Sequence, residues 1–68
     1  MEKFKLTSDY IQLNQLLKAV GWCENGGNAN SAIESQLVKV NDIVELRKRN
    51  KIMKGFKVEF NGNVLTVE

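Results

Sequence analysis

The chain has 68 residues, of which 43% are hydrophobic and 26% are charged, and its formal net charge is +2. This length allows one small domain, because a separate core usually needs about 50 to 200 residues. The sequence contains no histidine and a single cysteine, Cys23, which excludes an internal disulfide and the usual histidine-based metal and catalytic sites. We therefore expect one domain over residues 1–68, with no metal, no cofactor and no enzymatic activity.

Targeting and membrane signals are absent from the sequence. There is no apolar run of about 18 residues, and the charged N-terminus has no apolar targeting segment. A single free thiol agrees with a reducing compartment. These features predict a cytoplasmic protein with no membrane partner, and we expect a monomer.

Basic residues are concentrated in one part of the chain. Residues 39–57 hold seven of the ten lysines and arginines and carry a net charge of +5, whereas residues 1–38 carry −1. The densest run is 47–51, named here the basic loop, which contains no acidic and no apolar residue. Such a stretch cannot be a core strand, so we expect an exposed loop or a sheet edge.

The N-terminal third of the chain predicts a strand followed by a helix. Residues 3–7 alternate between polar and apolar side chains, which is typical of a strand with one buried face. The helix begins between Asp9 and Leu13 and ends near Val20, with Asp9 and Gln12 as a capping pair. Gly21 supplies the left-handed residue that ends it, and Trp22 folds back on the last turn. Its apolar positions are Leu13, Leu16, Leu17 and Val20.

A second helix follows after a short corner at residues 21–25. Asn25 can cap it, and small residues between Gly26 and Ser31 give it a poor intrinsic propensity, so it depends on packing against the first helix. The two helices therefore form a compact pair. The apolar stripe of the second helix consists of Ala29, Ala32, Ile33 and Leu37.

The remaining sequence has the period of two that is typical of strands. Val38 and Val40 point to one side and Lys39 to the other, residues 41–42 form a tight turn, and 43–44 begin the return strand. Two further strands are predicted at 56–60 and 64–68. The fold class is α+β: two short packed helices and a small, twisted, mostly antiparallel sheet of four to five short strands.

The basic loop is the strongest functional feature of the sequence. A solvated loop that promotes solubility is the plain interpretation. However, the run lacks interleaved acids and lies between short strands, which would hold its side chains on one face. Arginine and lysine grouped in this way bind phosphate well, so the pattern favours nucleic-acid binding. The alternative is a protein-interaction or assembly factor that uses the same patch on an acidic partner.

Two other features allow both a functional and a structural interpretation. The pair Gly26-Gly27 could present backbone amides to an anion, although a glycine pair before a helix is more often a close-packed corner. Trp22 could stack on a base, but a single tryptophan in a small domain more often packs against the core.

Five segments of the sequence, taken in order, resemble one known family. They are Leu16-Leu17-Lys18, Gly26-Gly27-Asn28-Ala29, Val38-Lys39-Val40-Asn41, the segment from Glu45 to Lys51, and Lys54-Gly55. The pattern resembles the RNA-binding domain named after the fourth protein of the ribosomal small subunit, the S-four-like domain. More closely it resembles the stand-alone bacterial version, the YbcJ type, in which the domain is the whole protein. The resemblance extends from about Tyr10 to the end.

This resemblance implies the fold called the αL motif and binding of structured RNA through phosphate and shape contacts, with ribosome association or RNA maturation as the setting. Asn30 stands where the family commonly has a basic residue, and Gln36 and Asp42 replace frequent glycines. Carried over position by position, the resemblance and the charge pattern assign RNA contacts to Arg47, Lys48, Arg49, Lys51, Lys18, Lys39, Gly27, Asn28, Asn30 and Lys54.

Overall fold

The computed structural model describes residues 2–68, which form two helices and seven short strands. In chain order these are β1 (Glu2–Phe4), β2 (Ile11–Gln12), α1 (Leu13–Ala19), α2 (Gly26–Glu34), β3 (Val38–Val40), β4 (Ile43–Val44), β5 (Lys51–Ile52), β6 (Lys57–Phe60) and β7 (Asn63–Val67). Five strands form one sheet in the order β1-β7-β6-β3-β4. Only β1 and β7 are parallel in this sheet of the described chain. The predicted α+β class and mostly antiparallel sheet are confirmed.

The core lies between the helix pair and one face of the sheet. Alternation along β3 places Val38 and Val40 in this core and leaves Lys39 exposed, as predicted. The same alternation continues in the neighbouring strands, so the helices need to cover only one face. The buried side chains from the helices and the sheet include Leu13, Leu16, Leu17, Ala29, Ala32, Ile33, Val38, Val40, Val58, Leu65 and Val67.

Helix α1 begins and ends within the predicted bounds, but its N-terminal cap differs. Gly21 adopts a left-handed φ of +82°, and the Trp22 N–H donates to the Leu17 carbonyl oxygen at 3.0 Å, which closes the last turn. At the other end, the predicted Asp9–Gln12 capping pair is wrong. Gln12 occupies the N-cap but makes no side-chain capping bond, and Asp9 is exposed. Backbone carbonyls of the basic loop replace the side-chain cap, as described below.

Helix α2 is capped as expected by Asn25, whose Oδ1 accepts a hydrogen bond from the Asn28 N–H at 2.9 Å. The prediction for Leu37 is wrong, because α2 ends at Glu34 and Leu37 is 58% exposed. The chain turns at Gln36, which has a φ of +66°, and this turn directs the following side chain away from the core.

The strand boundaries also depart from the sequence prediction. The first strand ends at Phe4 instead of Thr7, because the ladder of its partner β7 stops at Val67. The 41–42 turn is confirmed: Asn41 and Asp42 both have positive φ, the geometry of a tight hairpin. The sequence did not predict the small antiparallel sheet formed by β2 and β5.

Gln36→Gly is expected to stabilise the fold by about 0.5 to 1 kcal/mol, because a left-handed backbone is strained in every residue except glycine. The more flexible unfolded chain offsets part of that gain. Urea denaturation monitored by circular dichroism would measure the change in the free energy of unfolding. Ser35→Gly is the matched control, since Ser35 has a φ of −84° and should not gain stability. Equal stabilisation by both variants would contradict the assignment of strain to Gln36.

Candidate functional site

The basic loop connects β4 to β5 and is attached to the beginning of α1 by its backbone. The Leu13 N–H donates to the Asn50 carbonyl oxygen at 2.9 Å, and the Asn14 N–H donates to the Lys48 carbonyl oxygen at 3.0 Å. Amides in the first turn of a helix have no partner within that helix, so these carbonyls supply what a capping side chain would otherwise provide. The loop therefore has a defined position against α1.

Glu45, two residues before Arg47, holds the basic loop in shape. Its Oε2 accepts hydrogen bonds from the backbone N–H groups of Leu46 and Arg47 and from the Arg47 Nε at 3.2 Å. Its Oε1 accepts from the Arg47 Nη2 and from the Asn50 Nδ2, the latter at 2.9 Å. Because charge-assisted hydrogen bonds are the stronger kind, this carboxylate fixes the turn from which the cations project.

The hydrogen bonds from the Arg47 side chain lower the pKa of Glu45, and the backbone N–H groups add to this effect, while partial burial opposes it. The same pairing raises the pKa of Arg47. A carboxyl group with a lowered folded-state pKa stabilises the fold at pH values above its unfolded pKa. That contribution is lost as the pH falls through the lowered value.

The basic loop is therefore expected to keep its order down to about pH 4.5, the ordinary pKa of Glu45, and to lose it only below that pH. The amide NMR signals of Leu46 and Arg47 report the transition. Glu45→Gln is the control, since an amide does not titrate and should remove the transition. A midpoint at or above the ordinary pKa would contradict the role given to the ionised carboxylate.

Lys18 and Arg49, which are far apart in the chain, line the same depression. This helix cleft, formed by Gln12, Asn14, Gln15, Lys18, Gly26 and Arg49, has a volume of about 280 Å³. It contains the first residue of α2, where the backbone amides and the helix dipole favour negative charge. Both cations are exposed, and no carboxylate is among the described residues that line the cleft. The cleft thus presents positive charge and polar side chains together, an arrangement suited to phosphate.

An asparagine pair joins the two helices at this cleft. The Asn14 Nδ2 donates to the Asn30 Oδ1 at 3.0 Å, so the side-chain oxygen of Asn30 is already engaged. The Asn14 Oδ1 is buried without a hydrogen-bond partner among the described residues. Asn30 therefore contacts a residue that lines the cleft and also contributes to the contact between α1 and α2.

The other cations of the basic loop are directed to different parts of the surface. Arg47 pairs with Glu45, and the Lys48 Nζ lies 3.8 Å from the Glu34 Oε2, with both side chains exposed. The Lys51 Nζ lies 4.9 Å from the centre of the Tyr10 ring. The run itself lacks acids, but the fold supplies Glu45 and Glu34 from outside it. The expectation of one shared cationic face therefore needs correction.

Of the ten predicted RNA-contacting residues, only Lys18 and Arg49 line the helix cleft. Apart from Asn30, four of the other eight lie neither in the cleft nor in the basic loop. Lys39 is on the sheet face opposite the helices, next to Glu59 of β6 in the strand register. Gly27 and Asn28 are exposed in the first turn of α2, and Asn28 lines a different depression, beside Trp22. Lys54 is exposed in the turn between β5 and β6. The structure does not bring these four together with Lys18 and Arg49.

Sequence reasoning missed three residues that build the site: Glu45, Asn14 and Asn50. Glu45 had been counted only as a charge, although an acid two residues before Arg47 is a signal for a local pair. Asn14 gives no comparable signal, because its partners Asn30 and Lys48 come from other parts of the chain. Asn50 has a local side-chain partner in Glu45, but the Leu13 N–H that its carbonyl oxygen accepts comes from a distant segment.

Other kinds of site find little support in the structure. No group of three or more histidine, cysteine or acidic side chains within residues 2–68 could hold a metal ion. Cys23 is buried, and this burial raises the pKa of its thiol. No helix within the same residues is long and apolar enough to cross a membrane.

Comparison with known proteins identifies the family of this chain. A family model described as S4 domain matches residues 4–68. The chain belongs to the S4 domain family. YbcJ of Escherichia coli strain K12 and YbcJ of Shigella flexneri are each 45% identical to it over 58 residues, which is 85% of this chain and 83% of each relative. The resemblance found in the sequence is thus confirmed.

A solved structure shows the same S4 domain fold. The solution structure of YbcJ from Escherichia coli superposes with a TM-score of 0.74 at 43% sequence identity, covering 98% of this chain and 86% of that one. That structure is described as revealing an αL motif involved in RNA binding. In this S4 domain, Gln36 and Asp42 both have positive φ, so these turns form without glycine.

Proposed function

We propose that this S4 domain is a non-catalytic protein that binds structured RNA through the basic loop and the adjoining helix cleft. The observation that carries the proposal is the convergence of Lys18, Arg49 and the beginning of α2 on one polar depression. Membership of the S4 domain family and the RNA-binding motif described for YbcJ support RNA as the ligand. A monomer acting in the cytoplasm is part of the same proposal.

The binding would rest on phosphate and shape contacts. Arg49 can hold a phosphate with a two-pronged guanidinium, whereas Lys18 acts as a mobile point charge. Lys48 and Lys51 lie outside the helix cleft and add positive charge to the basic loop, and the weak ion pair of Lys48 can exchange Glu34 for a phosphate. The aromatic residues are few and none lines the helix cleft in the described chain, so base stacking contributes little.

The proposal predicts a characteristic dependence of binding on salt. If four phosphates are neutralised, the slope of log affinity against log salt should be roughly −3, from about 0.7 to 0.9 per phosphate. Fluorescence anisotropy would compare a ribosomal RNA hairpin with single-stranded RNA and duplex DNA of matched length over several salt concentrations. We expect the hairpin to bind most tightly. Equal, weak binding to all three would show that the patch provides only general charge.

Ribosome association or a part in RNA maturation is the setting that we propose, since the family takes its name from a ribosomal protein. Hairpins from mature and precursor ribosomal RNA are therefore the first structured ligands to compare.

A further inference from the structure

A second surface lies on the other side of the basic loop, at the open end of the core. Here a groove with a volume of about 510 Å³ runs between the β3–β4 hairpin and the segment that follows β5. Its walls include Ile43, Val44, Met53 and Phe56, and its rim carries Arg47 and Lys51. We name this surface the edge groove. The helix cleft shares none of its lining residues.

Aliphatic side chains are unusually exposed around the edge groove. Ile43 is 72% exposed, Met53 45% and Val44 40%, and all three line the groove. Single exposed apolar residues are common on soluble proteins, but a group at the margin of one depression marks an interaction surface. The helix pair does not cover this end of the sheet, so the apolar surface is left without a partner within the described chain.

The backbone of β4, next to these side chains, also has hydrogen-bonding groups that face away from the sheet. Among residues 2–68, strand β4 forms an edge of the sheet and pairs only with β3. The Glu45 N–H donates to the Val38 carbonyl oxygen, and Ile43 is opposite Val40 at the hairpin turn. In an antiparallel ladder, hydrogen-bonded residue pairs alternate with pairs that are not hydrogen-bonded. Val44 and Lys39 form a pair of the second kind, so the N–H and C=O of Val44 point away from β3. An extended chain can therefore add to β4 as a further strand.

The charge around the edge groove favours an acidic occupant. Arg47 and Lys51 lie at the rim, and Lys39 is opposite Val44 in the register of β3 and β4. Glu45 is the only acid among the described residues that line the groove and it pairs with Arg47, so the two cations and this one acid give the lining a net charge of +1. A second copy of the chain would bring the same positive rim against itself, which disfavours self-association.

The chemistry of the walls favours a peptide over a nucleobase. Bases stack on exposed aromatic faces, but the exposed side chains at this groove are aliphatic and Phe56 is half-buried. We propose that the edge groove binds an extended acidic segment of a partner protein, which adds to β4 and places alternate apolar side chains against Ile43 and Met53. This proposal does not depend on RNA binding, because the edge groove shares Arg47 and Lys51 with the basic loop but no residue with the helix cleft.

The probe is a displayed library of random nine-residue peptides selected against the immobilised full chain. We expect enrichment of sequences that alternate apolar with acidic residues. A synthetic peptide from this set should shift the amide NMR signals of residues 43–46. The double variant Ile43→Ser/Met53→Ser should weaken its binding at least tenfold, whereas Leu37→Ser, an equally exposed leucine outside the edge groove, should not.

Several results would overturn the proposal. These are the absence of enriched peptides, enrichment without acidic residues, chemical shifts confined to another surface, or unchanged affinity in the double variant. A dimer in sedimentation analysis that the double variant abolishes would assign the groove to a second copy. Displacement of the bound peptide by oligouridine in the Lys18→Glu/Arg49→Glu variant would assign it to RNA. Peptide binding that persists in Lys18→Glu/Arg49→Glu would support the proposal and separate it from the proposed RNA site.

Discussion

The double variant Lys18→Glu/Arg49→Glu is expected to bind structured RNA about 100-fold more weakly than the original chain at about 0.1 M salt. Each substitution removes a phosphate contact and places a carboxylate in the helix cleft, so attraction is replaced by repulsion. A 100-fold loss corresponds to about 2.7 kcal/mol, a plausible sum for two such changes. Both side chains are exposed, so the fold should persist. Anisotropy titration measures the affinity, and circular dichroism checks the fold.

A matched control separates a local site from the effect of net charge. Lys3→Glu/Lys5→Glu changes the net charge by the same amount at exposed positions in and after β1, away from the helix cleft. We expect this control to lose much less affinity than the cleft variant. Similar losses in both variants would mean that RNA responds to total charge, and the helix cleft would lose its assignment as the binding site.

Leu16→Ala is expected to destabilise the fold by about 2 to 5 kcal/mol, because it leaves a cavity at a position with 0% exposure. A domain of 68 residues has a small core and a stability of only a few kcal/mol, so much of this variant should be unfolded at 25 °C. Since α1 also anchors the basic loop, RNA binding should fall with the folded fraction.

Urea denaturation measures this effect, with Leu46→Ala as the control. Leu46 is 54% exposed and makes no part of the buried core, so the same substitution there should change stability by no more than about 0.5 kcal/mol. A loss below about 1 kcal/mol in Leu16→Ala would show that the core relaxes around the cavity.

The edge groove would be a second binding surface on this chain. If it binds an acidic peptide as proposed, the chain has an RNA surface and a protein surface on opposite sides of one loop. Arg49 would then serve the first and Arg47 the second. The two arginines lie close in sequence, but Arg47 is held by Glu45 whereas Arg49 lines the helix cleft.

Local patterns in the sequence determined much of the fold. Glycine at position 21, an asparagine cap at position 25 and the turn at 41–42 act through neighbouring backbone groups, so their effects can be read without the rest of the molecule. Alternation in β3 likewise predicted which side chains are buried. The order of segments was also sufficient to identify the S4 domain family.

The sequence was less informative where a residue's partner is distant in the chain. The beginning of α1 is capped by carbonyls of Lys48 and Asn50, which no local capping rule could reveal, so the Asp9–Gln12 prediction failed. Leu37 has helical spacing, but the backbone turn at Gln36 ends that periodicity before it is reached.

The sequence alone established that seven cations are concentrated in residues 39–57 and that four of them lie in the basic loop. Only the tertiary structure decided how they are used. Packing brings Lys18 next to Arg49, while Glu45 binds Arg47 and Glu34 approaches Lys48. Charge composition is a property of the chain, but the direction in which each charged side chain points depends on backbone turns and on partners from other segments. Those are settled only when the core forms and fixes the loop against α1.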